Sequence, residues 1–267
     1  MTQEVLTVAV CERPDWGSPE AAGTLAQRLG LTLVPDEYQI SDYCRFIIFF
    51  QQGRLSLQQT AARAPGAICV DFDDSALTYR RNHPVQPEAL LKASGVKQGG
   101  MCRVLDATAG LGQDAFIFAS AGCQVILMER SLVLHALLAD GLRRAAESEN
   151  DRVAESSGRM TLIHGDSASL SIKDIDERPE VVYLDPMFPD RRKSAKVKKN
   201  MFLLQQLLET DIPSADLLGN ALHIASRRVV VKRPRHADFL EGRRPSHQLV
   251  GKASRFDVYL PITPSSI

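Results

Sequence analysis

The sequence predicts an α/β protein: a parallel, doubly wound sheet in the second part of the chain, with a small α+β domain before it. From residue 102 onward, short apolar runs alternate with amphipathic stretches at the spacing of βαβ units. A glycine-rich turn, Gly110-Leu111-Gly112, follows the first of these runs. A later run, Val181-Val182-Tyr183-Leu184, ends abruptly on Asp185 and turns through Pro186 and Pro189. In open α/β sheets ligands bind outside the carboxyl ends of the strands, so both turns fall where chemistry is expected.

Residues 5–10 predict a strand. Ser18-Pro19-Glu20 opens a helix that runs to Leu29 and stops at Gly30. Residues 31–34, 45–50 and 67–72 are short apolar runs separated by turn residues such as Gln52-Gly53 and Pro65-Gly66, which predicts a small sheet. This first domain is assigned to residues 1–80 and the second to 81–267, joined by the polar connector 80–87. A helix is expected over 88–94, ended by Gly95.

In the second domain strands are predicted at 102–106, 123–128, 160–163, 180–184 and 228–232. Helices are predicted at 114–120, 132–146, 202–208 and 215–225, and 247–250 with 255–260 read as a closing strand pair.

No apolar run approaches the ~18 residues that span a bilayer, and the N-terminus lacks a secretory pattern, so the expected location is cytoplasmic with no membrane partner. Five widely spaced cysteines without a CxxC pair argue against a disulfide framework or a zinc site. Net charge is zero, yet residues 186–267 hold 15 Lys/Arg against 7 Asp/Glu. That asymmetry suits a polyanion approaching one side.

Asp106-Ala107-Thr108-Ala109-Gly110-Leu111-Gly112-Gln113-Asp114 is a strand-end acid followed by a glycine turn into a helix. Glycines let the backbone pass beneath a ligand, and the helix start offers free N–H groups. The same glycines satisfy a dinucleotide fingerprint, so a dinucleotide-dependent oxidoreductase is a competing reading. Asp106 tilts the balance: a carboxylate there repels a pyrophosphate but suits the ammonium of S-adenosylmethionine.

Glu129, ending the second strand, is placed to take the ribose hydroxyls of either cofactor. Asp166, after the third, is placed for an adenine amino group, with a helix N-cap as the alternative. Asp185, the Pro186 carbonyl and the Phe188 ring suit a flat, amino-bearing base. Arg191, Arg192, Lys193, Lys196, Lys198 and Lys199 follow at once and suit the phosphates beside it, with Arg227, Arg228, Lys232, Arg233 and Arg235 as an extension of that patch. The histidines show no metal-ligand spacing, and no metal is expected.

Asp-Ala-Thr-Ala-Gly-Leu-Gly (106–112), Val-Val-Tyr-Leu-Asp-Pro-Met-Phe-Pro (181–189), Lys-Ser-Ala-x-Val-Lys-Lys (193–199), Arg-Val-Val-Val-Lys-Arg-Pro (228–234) and Arg-Phe-Asp-Val-Tyr (255–259) closely resemble the RsmJ (YhiQ) family. These are bacterial small-subunit ribosomal RNA guanine-N2 methyltransferases. The resemblance runs from about residue 71 to 260. It implies a Rossmann-like class I methyltransferase fold, S-adenosyl-L-methionine as donor, and as partner 16S ribosomal RNA or the small ribosomal subunit. It further implies cofactor contacts at Gln113, Asp114, Glu129, Arg130, Asp166, Ser167 and Asp185, beside the Asp106, Gly110 and Gly112 turn. Gln113 stands where the family usually has Arg. A non-catalytic RNA-binding or assembly factor on the same fold is the other alternative.

Overall fold

Apolar runs become strands of two sheets in the computed structural model, which describes residues 6–13, 21–34, 40, 44–62, 64, 66–73, 89–97, 99–171, 175, 177–186, 207 and 216–262. One sheet lies in a unit containing Met1–Val70, the other in a unit containing Asp71–His135, Leu142–Pro186 and Ser214–Ile267.

The first unit holds β1 (Leu6–Cys11), α1 (Ala22–Leu29), β2 (Thr32–Val34), β3 (Cys44–Gln51) and β4 (Arg54–Gln59), with sheet order β2-β1-β3-β4. β2 and β3 run parallel to β1 on either side of it, and β4 returns antiparallel to β3. The return is a two-residue turn in which Gln52 and Gly53 both adopt positive φ, as a tight hairpin that follows the sheet twist requires. Phe46 to Phe50 are all buried, so β3 is apolar without alternation and forms the core of this sheet.

Two expectations for this region are corrected, and one strand, β4, was not expected. The helix starts at Ala22, with Ala21 as its extended N-cap and no side-chain cap, while 14–20 lie outside the described residues. Residues 67–72 form no strand, only a single bridge between Leu57 and Ile68. β4 carries Ser56, Gln58 and Gln59, and that polar content hid it from an apolar-run reading.

The second unit comprises α2 (Ala89–Ser94), β5 (Arg103–Asp106), α3 (Gln113–Ser120), β6 (Gln124–Glu129), both ends of α4 (Leu132–Ala146), α5 (Asp151–Ser157), β7 (Met160–His164), β8 (Val181–Leu184), α6 (Leu217–Ile224), β9 (Arg228–Pro234), β10 (His247–Val250) and β11 (Ser254–Tyr259). Its sheet order is β10-β11-β9-β8-β5-β6-β7. Neighbours from β9 to β7 are parallel, while β11 runs antiparallel to β9 and β10 antiparallel to β11. α5 was not anticipated, because its short polar sequence Asp-Arg-Val-Ala-Glu-Ser-Ser buries only Val153, Ser156 and Ser157.

Period-two alternation decides what each face of this sheet carries. Leu105, Val182, Leu184, Val229 and Val231 pack with Leu218, Ala221 and Leu222 of α6. Burial of each Leu or Val side chain contributes about 1.5–3 kcal/mol. Asp106 and Tyr183 point to the opposite face, where the Tyr183 ring meets Phe118 of α3 edge-on at 5.7 Å between centroids. β5 and β8 are paired with Asp106 opposite Tyr183, and β8 and β9 with Tyr183 opposite Val230. Two residues further on, that register brings Asp185 abreast of Lys232.

Candidate active site

The strand-end acids are neighbours in space because their strands are neighbours in the sheet. Asp185 follows β8, Asp106 ends β5, Glu129 ends β6 and Asp166 follows β7, the four adjacent strands in that order. The acids therefore form a row along the carboxyl edge of the sheet.

The glycine turn between β5 and α3 is fastened on all sides. Gly110 and Gly112 adopt φ of 55° and 72°, conformations that a side chain would strain. The Ala107 N–H donates to the Tyr183 carbonyl, and the Ala109 N–H to that of Met128. Asp106 Oδ1 accepts the Thr108 N–H at 3.2 Å. Glu129 Oε2 accepts the Gly110 N–H and its Oε1 the Ser131 N–H, both at 2.8 Å. Each Glu129 oxygen retains a further lone pair, so the ribose role inferred from sequence fits a carboxylate that also braces the turn. Burial raises the Glu129 pKa, and the N–H bonds from Ser131 and Gly110 oppose the rise.

Beyond β7, Asp166 Oδ1 accepts the Ala168 N–H at 3.0 Å, closing a local turn rather than capping a regular helix. The Ser167 hydroxyl donates to the Ala107 carbonyl at 2.6 Å and so ties this loop to the glycine turn. Asn220, on α6, donates through Nδ2 to the Ser167 and Leu170 carbonyls at 2.7 and 2.9 Å. Arg130 offers its carbonyl to His164 Nε2 at 3.0 Å.

Asp185 sits in the densest part of the site. Its N–H donates to Thr108 Oγ1 at 2.6 Å, and its Oδ2 lies 2.8 Å from Lys232 Nζ. The same ammonium lies 2.7 Å from Asp114 Oδ2, which also accepts the Tyr183 hydroxyl at 2.6 Å. Burial, then the charge of Asp114, holds the Asp106 carboxyl well above its ordinary range. Burial also raises Asp185, while Lys232 pulls it back. Burial alone would lower Lys232, but Asp114 and Asp185 outweigh it and raise the ammonium.

Three carboxyls thus surround one ammonium, and the surplus is negative. A ligand carrying an ammonium and a sulfonium supplies the missing positive charge, so the residues present fit S-adenosylmethionine. A pyrophosphate would add to the repulsion.

Some sequence expectations change here. Lys232 belongs to this cluster rather than to a phosphate-binding patch. Arg227 and Arg228 donate to the Ser94 and Ala93 carbonyls, and Arg233, 2% exposed, donates to that of Asp238. These three arginines fasten backbone rather than extend a basic surface. Thr108, Tyr183 and Asn220 were not foreseen, since a hydroxyl or amide in an apolar or helical run carries no motif of its own. Phe188 and the basic residues Arg191, Arg192, Lys193, Lys196, Lys198 and Lys199 lie outside the described residues, as does the helix expected over 202–208 apart from Leu207. Among the described residues no group of three or more His, Cys, Asp or Glu is placed to hold a metal, and no helix is long and apolar enough to cross a membrane.

A seven-stranded sheet in which only β11, second from one edge, runs against the rest, a glycine turn after β5 and an acid ending the neighbouring β6 define a methyltransferase that uses S-adenosylmethionine. A family model described as putative SAM-dependent methyltransferase matches residues 25–261. Ribosomal RNA small subunit methyltransferase J of Pseudomonas aeruginosa strain LESB58 is 46% identical over 244 residues, covering 91% of each chain. The protein of that name from Thioalkalivibrio sulfidiphilus is 45% identical, covering 90% of this chain and 93% of its own. The crystal structure of a SAM-dependent methyltransferase from Neisseria gonorrhoeae superposes with a TM-score of 0.72 at 30% identity, covering 97% of this chain and 98% of that one. The chain belongs to the ribosomal RNA small subunit methyltransferase J family. Membership disposes of the dinucleotide-dependent alternative.

Proposed function

We propose that the protein methylates the exocyclic N2 amine of a guanosine in 16S ribosomal RNA, presented as RNA or within the small subunit, with residues 81–267 as its catalytic domain. The observation that carries this is the position of Asp185: it follows β8 directly, next to the acids assigned to the cofactor, with its backbone held by Thr108 and one carboxylate oxygen held by Lys232. When bound, S-adenosylmethionine supplies an electrophilic methyl group.

Asp106, Gly110, Gly112, Gln113, Asp114, Glu129, Arg130, Asp166 and Ser167 line the cofactor side, and Asp185 stands at the boundary with the acceptor. An exocyclic amine is a weak nucleophile because its lone pair is delocalised into the ring. Hydrogen bonds to the Asp185 carboxylate and the Pro186 carbonyl favour its rehybridisation, and Phe188 stacks on the ring. The Asp185 carboxylate would take the proton that the amine gives up on methylation. The basic residues from Arg191 to Lys199 neutralise adjoining phosphates.

Labelled methyl transfer into small subunits and naked RNA from a strain lacking the protein, followed by nucleoside analysis, tests this. N2-methylguanosine is expected, and label on any other atom overturns the assignment.

A further inference from the structure

Lys232 lies on β9, in line with Val230 and away from the α6 face of the sheet. Its ammonium bridges Asp114, in the first turn of α3, and Asp185, at the end of β8. The bridge therefore links the helix that begins at the cofactor turn to the carboxylate facing the acceptor. We propose that Lys232 is a positioning residue for methyl transfer, holding the Asp185 carboxylate ionised and oriented so that its second oxygen meets the acceptor amine. This rests on Asp185 being the group that receives the amine.

The geometry assigns each contact a task. Lys232 occupies Oδ2 of Asp185, and among the described residues Oδ1 meets no donor. Thr108 fixes the backbone of Asp185 from the glycine turn. Asp114 is held in turn by the Tyr183 hydroxyl, so the bridging ammonium has an anchored partner on its far side. A carboxylate held at one oxygen and at its own backbone has little rotational freedom left, which is what alignment of an acceptor with a methyl carbon requires.

Among the described residues, the titratable groups facing Asp185 are Lys232 and Arg233 from β9, Asp114 from α3, Asp106 from β5 and Tyr183 from its own strand. Lys232 is the one cation among them in hydrogen-bond contact with Asp185. Without it, burial and the neighbouring carboxylates act on Asp185 with little to oppose them.

The test compares Lys232→Met, Lys232→Gln, Lys232→Arg and the double variant Lys232→Met/Asp114→Asn in the full chain. Single-turnover methyl transfer into unmodified small subunits is followed between about pH 5 and pH 9. S-adenosylmethionine affinity is measured by calorimetry and folding by thermal unfolding. Lys232→Met should lose about 100-fold in rate, with cofactor affinity changed less than about threefold and the acid limb of the pH profile moved to higher pH. Lys232→Arg should return the limb toward its wild-type position. If Lys232→Met does not fold, Lys232→Gln carries the same test. An unchanged rate and limb overturn the proposal. So does full recovery in the double variant, which would reduce Lys232 to a neutraliser of Asp114. If the wild-type protein places no methyl group on a guanine amine, the proposed function fails instead, and the Lys232 variants are then read in whichever product forms.

Discussion

Glu129 accepts the Gly110 N–H at 2.8 Å, so the acid that ends one strand braces the glycine turn that follows its neighbour. Its other oxygen holds the Ser131 N–H at the start of α4. Glu129→Ala removes both acceptors and should lower stability by about 1–3 kcal/mol. Calorimetry should show S-adenosylmethionine affinity reduced at least about tenfold, the cost of one to two hydrogen bonds to a charged group. The ribose role makes a separate demand: a 2′-deoxy cofactor should bind the wild type less well than the ribose form and bind the variant equally well. Equal binding of both forms by the wild type would remove that role.

Asp106 illustrates a cost that the ligand offsets. Burial and Asp114 raise its pKa above the unfolded value, so the carboxyl holds its proton more tightly in the folded protein than in the unfolded chain. The folded state then binds more protons than the unfolded one, and the stabilising contribution, full below the ordinary carboxylate pKa of about 4, is lost as pH rises through the folded value. Asp106→Asn should therefore raise the Tm of the cofactor-free protein at neutral pH, by about 2–4 °C for each kcal/mol recovered. The same change should weaken S-adenosylmethionine binding, because the cofactor ammonium loses its counter-charge. A variant that gains stability and keeps full affinity would show that Asp106 does not face the ammonium.

Asn220 offers a test remote from the reacting atoms. Its amide donates to the Ser167 and Leu170 carbonyls and thereby holds the loop that carries Asp166. Asn220→Ala leaves two carbonyls without this donor and should cost about 1–3 kcal/mol. The KM for S-adenosylmethionine should rise while kcat changes little, since the loop contributes to binding rather than to the acceptor side. Thermal unfolding and initial-rate kinetics check both parts, and a fall in kcat at unchanged KM would contradict the account.

The parallel strands around the site were legible because strands buried on both faces read as continuous apolar runs, as Val181 to Leu184 and Val229 to Val231 do. Asp106, Glu129 and Asp185 were legible because a carboxylate at the end of such a run stands out, and the sheet order then made them neighbours. What escaped was what depends on register or on a distant partner. Lys232 looked like one more cation in a basic stretch until the pairing of β8 with β9 set it abreast of Asp185. Arg228 and Arg233 looked available for phosphate until their carbonyl partners were seen. β4 and α5 were missed because half-polar segments with few buried residues give a weak periodic signal.

Chemistry and RNA affinity should separate cleanly. Asp185 is one carboxylate at the end of β8, whereas Arg191, Arg192, Lys193, Lys196, Lys198 and Lys199 place six cations within nine residues of sequence. Phosphate neutralisation releases counterions, so affinity falls with salt by a slope that counts the contacts. Replacing Lys196, Lys198 and Lys199 with Glu should weaken RNA binding at low salt and reduce the log–log salt slope by up to about three. Asp185→Ala should instead abolish methyl transfer and leave both affinity and slope near wild type, because removing a carboxylate takes away no phosphate contact. Filter binding across a salt series, beside single-turnover methylation, distinguishes the two. An unaltered slope in the charge-reversed protein would make the basic run an ordinary solvated surface, and methylation retained by Asp185→Ala would remove the carboxylate from the reaction.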